Sequence, residues 1–366
     1  MSRIRILMDD GNQILLGTGI GKYSLYLFEA IKRAGIDITL AEQVQDSSGS
    51  RIKQRIKYIK TINSTNYQKY LENNYNVVLY TNYAIPLRKS KKVKYVGAIA
   101  DMVAFLYPET LPTFYRLYNQ IMIKNTIKNA DLIFTISKSV EDEILERFPD
   151  VRERLVYTWL GLYDGIRPLL EYAPYENEKL QKIDDSPYFL FVSTVEKRKN
   201  VGLVIDAFIR LKRDNPSARD FKLVIVGRPG YGYEEFVEKV NSSQYQGDII
   251  FSGFTSDADC NRLYNHAKAF VFPTIYEGFG FAQIECMKCH LPIILSDIPT
   301  NREISRNYGL FFDLGDISTL VKQMTVIVNG EYDYDRYNAL ADEYIKEFDW
   351  DRIARQYVDY IEALVK

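Results

Sequence analysis

The chain alternates short apolar runs with longer stretches of helical periodicity, and it does so in two successive series. Short apolar strands separated by amphipathic helices are typical of parallel sheets covered by helices on both faces. Two such series therefore predict two doubly wound α/β domains. The predicted strands are 4–8, 38–41, 77–80, 94–99, 132–136 and 155–158 in the first series, and 188–192, 222–226, 249–252, 270–272, 293–295 and 310–312 in the second.

The length of 366 residues also favours two domains, because one hydrophobic core rarely serves so long a chain. Between the two series the sequence becomes polar and irregular and contains Pro168 and Pro174. We therefore predict a first domain at 1–165, a linker at 166–186 and a second domain at 187–346. A C-terminal helical segment at 347–366 follows.

The composition, with 46% hydrophobic and 26% charged residues, is ordinary for a soluble globular protein. No apolar run approaches the roughly 18 residues of a membrane span. Asp9 interrupts the N-terminal apolar run before it reaches the length of a signal peptide. We therefore expect a cytoplasmic protein. Three cysteines and two histidines also offer little for disulfides or a metal site.

An acidic, glycine-rich segment follows the apolar run at 269–273. It begins at Glu277, reads E-G-F-G-F, and reaches a second acid, Glu285, eight positions later. Glycines let the backbone approach a ligand closely, and N–H groups at a helix start attract anionic oxygen. Glu285 would lie about a turn and a half into the helix, so both acids can point at one ligand. The segment indicates a site for a sugar and the ribose of a nucleotide.

A cationic segment follows the first strand of the second series. It runs from 193 to 200 and carries Arg198 and Lys199 just before a predicted helix, with Asn200 suited to cap that helix. Ligands bind at the carboxyl ends of strands in such sheets. Fixed cations there suit a nucleoside diphosphate, whose negative charge grows as its bond to the sugar breaks.

Three further turns carry glycines. The first, G-T-G-I-G-K-Y at 17–23, opens a helix and suits a phosphate or a closely approaching ligand, although it matches neither a Walker A loop nor G-x-G-x-x-G. The others, at 226–234 and 251–254, each end a predicted strand of the second series. We expect both of them to line a nucleotide base pocket.

These segments together resemble the retaining nucleotide-sugar glycosyltransferases of family 4, in particular mannosyltransferase-like members. The resemblance spans nearly the whole chain, and its sharpest motifs lie in the second domain. It implies the GT-B architecture, an α/β fold in which two Rossmann-like domains face each other across a cleft. The first domain would bind the acceptor and the second the donor. The C-terminal helix would cross back to pack on the first domain.

The resemblance also assigns roles to single residues. Glu277 would contact the donor sugar, and Glu285 would bind the ribose hydroxyls. Arg198 and Lys199 would hold the diphosphate. The implied catalytic residues are Glu277, Asp101, Arg198 and Lys199; the implied donor-binding residues are Gly19, Gly21, Thr194, Arg198, Lys199, Gly227, Arg228, Gly253, Phe254, Glu277, Gly278, Phe279, Gly280, Phe281 and Glu285.

The reaction implied is transfer of a hexose, with retention, to a glycan or lipid-linked acceptor in bacterial surface polysaccharide synthesis. The donor would be GDP-mannose as first guess, or a UDP-hexose. A donor phosphate oxygen would take the acceptor proton, so no cofactor and no metal are expected. Three D-x-D pairs, at 257–259, 333–335 and 349–351, are interpreted as helix caps and solvated acids.

One departure leaves an alternative open. Ala100 stands where the family commonly has a histidine, before Asp101. The chain is then either an enzyme that needs no such histidine or a catalytically inactive, donor-binding partner in a polysaccharide assembly complex. A sugar-nucleotide epimerase on the same architecture is disfavoured, because its additional acid and base carboxylates have no counterparts that we can identify here.

Charge is unevenly distributed along the chain. Residues 1–165 carry a net charge of +6 and the remainder −7. The basic segments 51–60 and 88–94 favour an anionic membrane surface, although a solvated helix face is the alternative. We expect a protein that is peripheral on the inner face of the membrane. Nucleic acid is not expected, because no aromatic-lined basic sheet motif is found.

Overall fold

The computed structural model describes residues 4–11, 13, 19–42, 51–169, 174–183 and 185–366. Contacts divide the chain into two compact units. The first comprises Met1–Gly161 and Phe348–Lys366, and the second comprises Leu162–Glu347. Each unit contains one six-stranded parallel sheet flanked by helices, which confirms the predicted pair of doubly wound α/β folds.

The first unit has the strand order β2-β1-β3-β4-β5-β6. Its strands are β1 (Arg5–Asp9), β2 (Asp37–Leu40), β3 (Val77–Tyr80), β4 (Lys94–Ile99), β5 (Leu132–Thr135) and β6 (Leu155–Tyr157). Its α-helices are α1 (Gly19–Arg33), α2 (Arg51–Ile62), α3 (Thr65–Asn74), α4 (Val103–Leu106), α5 (Thr113–Asn129), α6 (Lys138–Arg147) and, at the end of the chain, α14 (Trp350–Val365). The strands are apolar and buried because helices cover both faces of the sheet.

The second unit has the strand order β12-β11-β10-β7-β8-β9. Its strands are β7 (Tyr188–Val192), β8 (Lys222–Val226), β9 (Ile249–Gly253), β10 (Ala269–Phe272), β11 (Ile293–Ser296) and β12 (Leu310–Phe312). Its α-helices are α7 (Val201–Asp214), α8 (Tyr233–Asn241), α9 (Asp257–His266), α10 (Phe281–Lys288), α11 (Pro299–Ser305), α12 (Ile317–Val328) and α13 (Tyr334–Tyr344). The strand order reverses between β7 and β10, so these two neighbours flank the switch point of the sheet.

The C-terminal helix packs on the first unit, as predicted. The Tyr357 ring stacks on Phe134 at a centroid distance of 3.8 Å, and its hydroxyl lies 2.8 Å from that of Tyr23 on α1. Trp350 lies directly against Gly161, where an added Cβ would come within 2.5 Å of the indole. These contacts bury one face of α14 in the core of the first unit.

The stretch 166–186, expected to be an interdomain linker, is instead part of the second unit. The backbone N–H groups of Glu176 and Asn177 donate to the two oxygens of Asp259 at 3.0 and 2.9 Å. Leu180 and Ile183 are fully buried. The sequence pattern missed this because side-chain acceptors on α9, far along the chain, satisfy the irregular backbone.

No helix in the described part of the chain is both long and apolar enough to cross a membrane.

Candidate functional site

The site lies at the switch point of the second sheet. The loop after β7 carries the cationic segment, and the loop after β10 carries Glu277. Because β7 and β10 are adjacent and parallel, their carboxyl ends bring the two loops together. A direct link is the hydrogen bond of 3.0 Å from the N–H of Ile275 to the carbonyl of Arg198. Two segments that are nearly 80 positions apart thus form one site.

A buried ion pair forms the centre of the site. The Lys199 ammonium contacts Oε1 of Glu277, and both side chains are about nine-tenths buried. Arg198 lies 3.6 Å from the same oxygen. Its guanidinium also donates to the carbonyl of Tyr276 and to Glu196, both at 2.8 Å. Two fixed cations therefore stand beside one carboxylate.

The electrostatics of the pair keep the carboxylate charged. Burial acts to raise the pKa of Glu277, but the charges of Lys199 and Arg198, with hydrogen bonds from Lys199 and Thr274, outweigh burial and lower the pKa below its ordinary value. The pKa of Lys199 is also lowered, first by burial and then by repulsion from Arg198. Arg198 therefore adds to the positive electrostatic potential around Lys199. A positive potential of this kind favours the binding of an anion.

A polar framework holds Glu277 from behind. The Thr274 hydroxyl donates to Glu277 Oε1 at 2.9 Å, and the Thr300 hydroxyl donates to the Glu277 carbonyl at 2.8 Å. Ser296 donates to the Thr274 carbonyl at 2.5 Å, and Asn301 donates to the Ser296 carbonyl at 2.9 Å. All four supporting residues are buried, so the carboxylate has little freedom to move. Sequence reasoning missed these residues, although Thr274 is a polar residue just after a buried strand.

The framework continues to the glycine turn. Gln283 Nε2 donates to Asn301 Oδ1 at 2.7 Å from the first turn of α10. Gly280, immediately before α10, has a φ of +89°, and an added Cβ would lie 2.5 Å from Gln283 Nε2. The turn therefore requires glycine both for its left-handed backbone and for space. Phe279 is buried and anchors the loop.

Glu285 lies on α10 and is buried, with Oε2 accepting a hydrogen bond of 2.7 Å from the Tyr264 hydroxyl. Tyr264 belongs to α9, so a neighbouring helix fixes the orientation of the carboxylate. The predicted ribose contact of Glu285 stays a prediction. Its position on the helix after the glycine turn is the position expected from the spacing.

The loops after β7 and β8 are hydrogen-bonded to each other. Val195 N–H donates to the Arg228 carbonyl and Gly230 N–H to the Val195 carbonyl, both at 3.0 Å. An added Cβ on Gly230 would lie 2.7 Å from Thr194 Cγ2. A Cβ added to Gly227 would lie 1.8 Å from the carbonyl oxygen of Ser193, in the loop after β7. The glycines thus let the two loops lie side by side, with Thr194 between them.

The loop after β9 lies at the same edge of the sheet as the loops after β7 and β8. Gly227 N–H donates to the carbonyl of Gly253 at 2.9 Å, and Gly253 itself has a φ of +76°. The Arg228 guanidinium lies 4.4 Å from the ring centroid of Phe254, which is 63% exposed. An exposed aromatic ring beside a cation offers a surface on which a planar base can stack.

The predicted residues of the first unit lie at the carboxyl end of its sheet and at a helix start. Asp101 follows β4, with Oδ1 accepting from the N–H of Val103 at 3.1 Å, and Ala100 beside it is buried. Gly19 is the first residue of α1, and Gly21 is buried in its first turn. The rest of the predicted turn, including Gly17 and Thr18, lies outside the described residues.

An additional carboxylate, absent from the predictions, ends β1. Asp9 is buried and accepts hydrogen bonds of 3.0 Å from Gly11 N–H and from the hydroxyls of Tyr58 and Tyr67. Burial raises its pKa despite these hydrogen bonds. Together with α2 and α3 it lines a cavity of about 540 Å³. The sequence did not predict these contacts, because a single acid at the end of a strand is not a recognisable motif.

The acids of the D-x-D pairs whose contacts are described have structural roles. Asp333 and Asp349 cap α13 and α14 by accepting from the N–H groups of Arg336 and Arg352. Asp259 binds the backbone of 176–177. Within the described residues, no three His, Cys, Asp or Glu side chains group as metal ligands do.

Comparisons with known proteins agree with this geometry. The profile of the family Glycosyl transferases group 1 matches residues 174–345. O-antigen chain mannosyltransferase B of Escherichia coli is 24% identical to the chain, over 95% of this chain and 96% of its own length. O-antigen chain mannosyltransferase RfbU of Salmonella typhimurium is 23% identical over 92% and 94%. The solved sucrose-phosphate synthase from Thermosynechococcus elongatus has a TM-score of 0.77 at 17% identity, over 99% of both chains, which shows a shared GT-B fold.

Proposed function

We propose that the chain, whose residues 174–345 match the profile of the family Glycosyl transferases group 1, moves a hexose from a nucleoside-diphosphate sugar to a hydroxyl of a glycan or lipid-linked acceptor. The transfer retains the anomeric configuration and needs no metal. The observation that carries this proposal is the buried Lys199–Glu277 pair with Arg198 at the switch point of the second sheet. It combines cations for a diphosphate with a carboxylate for a sugar.

Mannose is the first choice of sugar. The T-G-I-G-K-Y and E-K-R-K-N segments resemble those of mannosyltransferase-like members, and both curated relatives are called O-antigen mannosyltransferases. Those names support mannose as the sugar and an O-antigen chain as the product class, and the resemblance of the two segments supports GDP as the nucleotide. A UDP-hexose is the second choice of donor.

The family resemblance implies the chemistry, and the charges at the site suit it. The acceptor hydroxyl oxygen bonds to the anomeric carbon on the face from which the diphosphate leaves, and the bond from that carbon to the phosphate oxygen breaks. The hydroxyl proton passes to a phosphate oxygen of the leaving group. Arg198 and Lys199 stabilise the charge that develops on the diphosphate. Glu277, held by Thr274 and Thr300, orients the sugar.

The direct test is a transfer assay with purified protein and a panel of GDP-, UDP- and dTDP-sugars, after thermal-shift screening for donor binding. GDP-mannose is expected to raise the melting temperature and to yield GDP only when acceptor is present. Proton NMR of the fresh product is expected to show the anomeric configuration of the donor, and EDTA is expected to leave the rate unchanged. A product of inverted configuration would contradict the proposed mechanism.

The second candidate is a donor-binding protein without turnover, and Ala100 motivates it. Ala100 is buried after β4, where a histidine side chain would otherwise stand next to Asp101. Tight donor binding without release of nucleotide on any acceptor would favour this candidate. In that case Ala100→His, which supplies the missing imidazole, is the informative variant to assay next.

The protein is proposed to act in the cytoplasm, at the inner face of the membrane where lipid-linked acceptors reside. The predicted basic segments support this only in part. In the second of them, Lys89 pairs with Asp131 at 2.8 Å and Lys92 with Glu72 at 3.3 Å, so much of its charge is neutralised. The first segment forms α2, which contains five Lys and Arg and no acid.

A further inference from the structure

The cavity beside Asp9 in the first unit is lined by none of the predicted donor-binding residues. Its volume of about 540 Å³ lies within the range of about 300–1,000 Å³ that is typical of small-molecule sites. It lies at the carboxyl ends of β1 and β2 and is walled by α2 and α3. We call it the α2–α3 pocket and define it by Asp9 on β1, Glu42 after β2, Tyr58 on α2 and Tyr67 on α3.

The buried end of the pocket offers hydrogen-bond acceptors. Asp9 Oδ1 accepts from the N–H of Gly11 and the hydroxyl of Tyr58, and Oδ2 accepts from the hydroxyl of Tyr67, each at 3.0 Å. A carboxylate has about four acceptor positions, and these contacts with described residues fill three of them, which leaves one position on Oδ2. Both tyrosine protons are directed at Asp9. A ligand at Asp9 must therefore supply the donor, as a hydroxyl group does.

The charge of the pocket is negative. Its described lining residues include the carboxylates Asp9, Asp10 and Glu42 but a single cation, Lys57. The donor site has the opposite balance, with two cations beside one carboxylate. A negative pocket repels a phosphate or a diphosphate, which argues against a nucleotide or a lipid diphosphate here. The ligand that fits is neutral and carries hydroxyl groups.

Three tyrosine rings form part of the pocket wall. Tyr58 and Tyr67 are half-buried, and Tyr70 is 47% exposed. The Tyr70 ring meets Tyr75 edge to face at a centroid distance of 5.8 Å, which holds it in place. The negative face of an aromatic ring attracts C–H groups with partial positive charge, such as those on the faces of a pyranose ring. Aromatic walls above buried acceptors therefore suit a sugar, which has apolar faces and a rim of hydroxyls.

The pocket lies at the same edge of the first sheet as Asp101. Asp9 ends β1, and Asp101 follows β4, two strands away in the order β1-β3-β4. Neighbouring strands are about 4.8 Å apart, so the ends of β1 and β4 are separated by about 10 Å. This separation exceeds the width of one hexose ring. A glycan whose reacting hydroxyl lies at Asp101 would therefore place an earlier sugar residue at the pocket.

We propose that the α2–α3 pocket binds a neutral sugar residue of the acceptor glycan, at least one residue before the one that carries the reacting hydroxyl. The inference rests on the proposed function, because it takes the chain to be a transferase with a glycan acceptor. It makes the pocket a determinant of acceptor specificity that reads the glycan and not a lipid diphosphate. Its evidence lies wholly in the first unit and does not depend on which donor is used.

Saturation-transfer NMR on the whole chain tests the proposal without donor. The probes are the methyl glycosides of mannose, glucose, galactose, rhamnose and N-acetylglucosamine, with mannose 6-phosphate and glucosamine as charged counterparts. At least one neutral glycoside is expected to bind, and to bind better than either charged sugar. Asp9→Asn should weaken that binding about tenfold, because a hydrogen bond to a charged acceptor is lost. Tyr70→Ala should weaken it about fivefold, because one aromatic wall is lost.

Matched controls lie elsewhere in the first unit. Asp131→Asn alters another carboxylate that accepts from a backbone N–H, and Tyr360→Ala removes another tyrosine ring of similar exposure, 45%. Both controls should bind the glycoside as the wild type does. Because Tyr70 is largely exposed, its variant is informative even if Asp9→Asn fails to fold. Absence of binding by every neutral glycoside would overturn the proposal, as would stronger binding of a charged sugar, or binding that survives both pocket variants.

Kinetics and donor binding separate this inference from the proposed function. With an acceptor identified in the transfer assay, both pocket variants should raise the KM for acceptor more than they lower kcat; a dominant effect on kcat would place the reacting hydroxyl itself at the pocket and contradict the assignment. Both variants should keep the thermal shift of the wild type with GDP-mannose. Failure of glycoside binding with intact transfer affects only the pocket, and absence of transfer with intact glycoside binding affects only the proposed function.

Discussion

At the scale of single residues, the site depends on how two cations share one buried carboxylate. Lys199 and Arg198 both approach Oε1 of Glu277, and Thr274 donates to the same oxygen. Removing either partner of a buried ion pair leaves an uncompensated charge, which costs more than the intact pair contributes. Variants at these positions must therefore be judged by stability and by turnover separately.

Lys199→Met is expected to lower stability by about 3 kcal/mol, because Glu277 is left buried with only the more distant Arg198 nearby. It should also lower turnover by about 10²-fold, because one fixed cation for the leaving diphosphate is lost. Urea unfolding and kcat measure the two effects. The double variant Lys199→Met with Glu277→Gln should recover most of the stability and none of the turnover. Wild-type turnover in the single variant would contradict the assigned role of Lys199.

The pH dependence of stability should show the lowered pKa of Glu277. A carboxyl whose pKa is lower in the folded state contributes stability above its unfolded pKa of about 4.3, and this contribution is lost as pH falls through the folded pKa. The stability difference between wild type and Glu277→Gln should therefore be constant from about pH 6 to 8 and shrink below about pH 4.5. Urea titrations at several pH values measure it. A difference that does not change with pH would show that Glu277 is not charged in the folded state.

Glu285→Gln tests the predicted ribose contact. The amide can still accept from Tyr264, so the fold should hold, but it binds hydroxyl groups less strongly than a carboxylate does. We expect donor affinity to fall about tenfold by calorimetry while kcat at saturating donor changes little. Tyr264→Phe, which frees the carboxylate without removing it, is the matched control and should have a smaller effect. Equal donor affinities in wild type and Glu285→Gln would remove Glu285 from the donor site.

The sequence predicted that Glu277, Arg198 and Lys199 lie close together, and they do, but it did not predict the residues that hold them in place. Glu277, Arg198 and Lys199 are identified by local pattern, since each follows a buried strand in a glycine-rich or basic segment. Gln283 and Asn301 are not, because their contact joins positions 18 apart through a turn whose path depends on Gly280. Long-range hydrogen bonds of this kind have no local signature.

At the scale of elements, all twelve predicted strands are present, because a buried parallel strand is a near-continuous apolar run with little ambiguity. The geometry of the helix caps is harder to predict from the sequence. Asn200 precedes α7 as expected, but it has a left-handed backbone with φ of +53°, and its side chain makes no capping hydrogen bond. A 3₁₀ turn, Lys197–Lys199, directly precedes Asn200, and Lys199 in that turn contacts Glu277.

The glycine turn before α10 provides a prediction about backbone geometry. Gly280→Ala should destabilise the second unit by about 1–2 kcal/mol, because alanine is strained at a φ of +89° and its Cβ would displace Gln283. Donor affinity should fall with it, because we propose that the amides of this turn contact the donor sugar. Gly247→Ala is the control, because nothing lies within 4 Å of its added Cβ. Denaturant midpoints and donor Kd measure both effects, and equal behaviour of the two variants would refute the role of the turn.

At the scale of the whole molecule, the chain builds its first unit from both of its ends. Residues 348–366 belong with residues 1–161, so the second unit is inserted in sequence between two parts of the first. The boundary of the linker could not be read from the sequence, because proline and polar residues mark irregular backbone and do not reveal what that backbone contacts. The side chains of α9 decide that 166–186 belongs to the second unit.

The return of α14 gives the last prediction. Tyr357 is fully buried between Tyr23 and Phe134, so Tyr357→Ala should destabilise the first unit by about 3–5 kcal/mol, whereas Tyr357→Phe, which loses one hydroxyl contact, should cost about 1 kcal/mol. Tyr360→Ala, three positions on and 45% exposed, is the matched control and should cost only about 1 kcal/mol, because it loses one edge contact with Phe134. Because each unit has its own core, hydrogen exchange should quicken in α1 and β5 of the Tyr357→Ala variant while β7 to β11 stay protected. Equal loss of protection in both sheets would mean that the two units unfold as one, and that the C-terminal helix stabilises the whole chain.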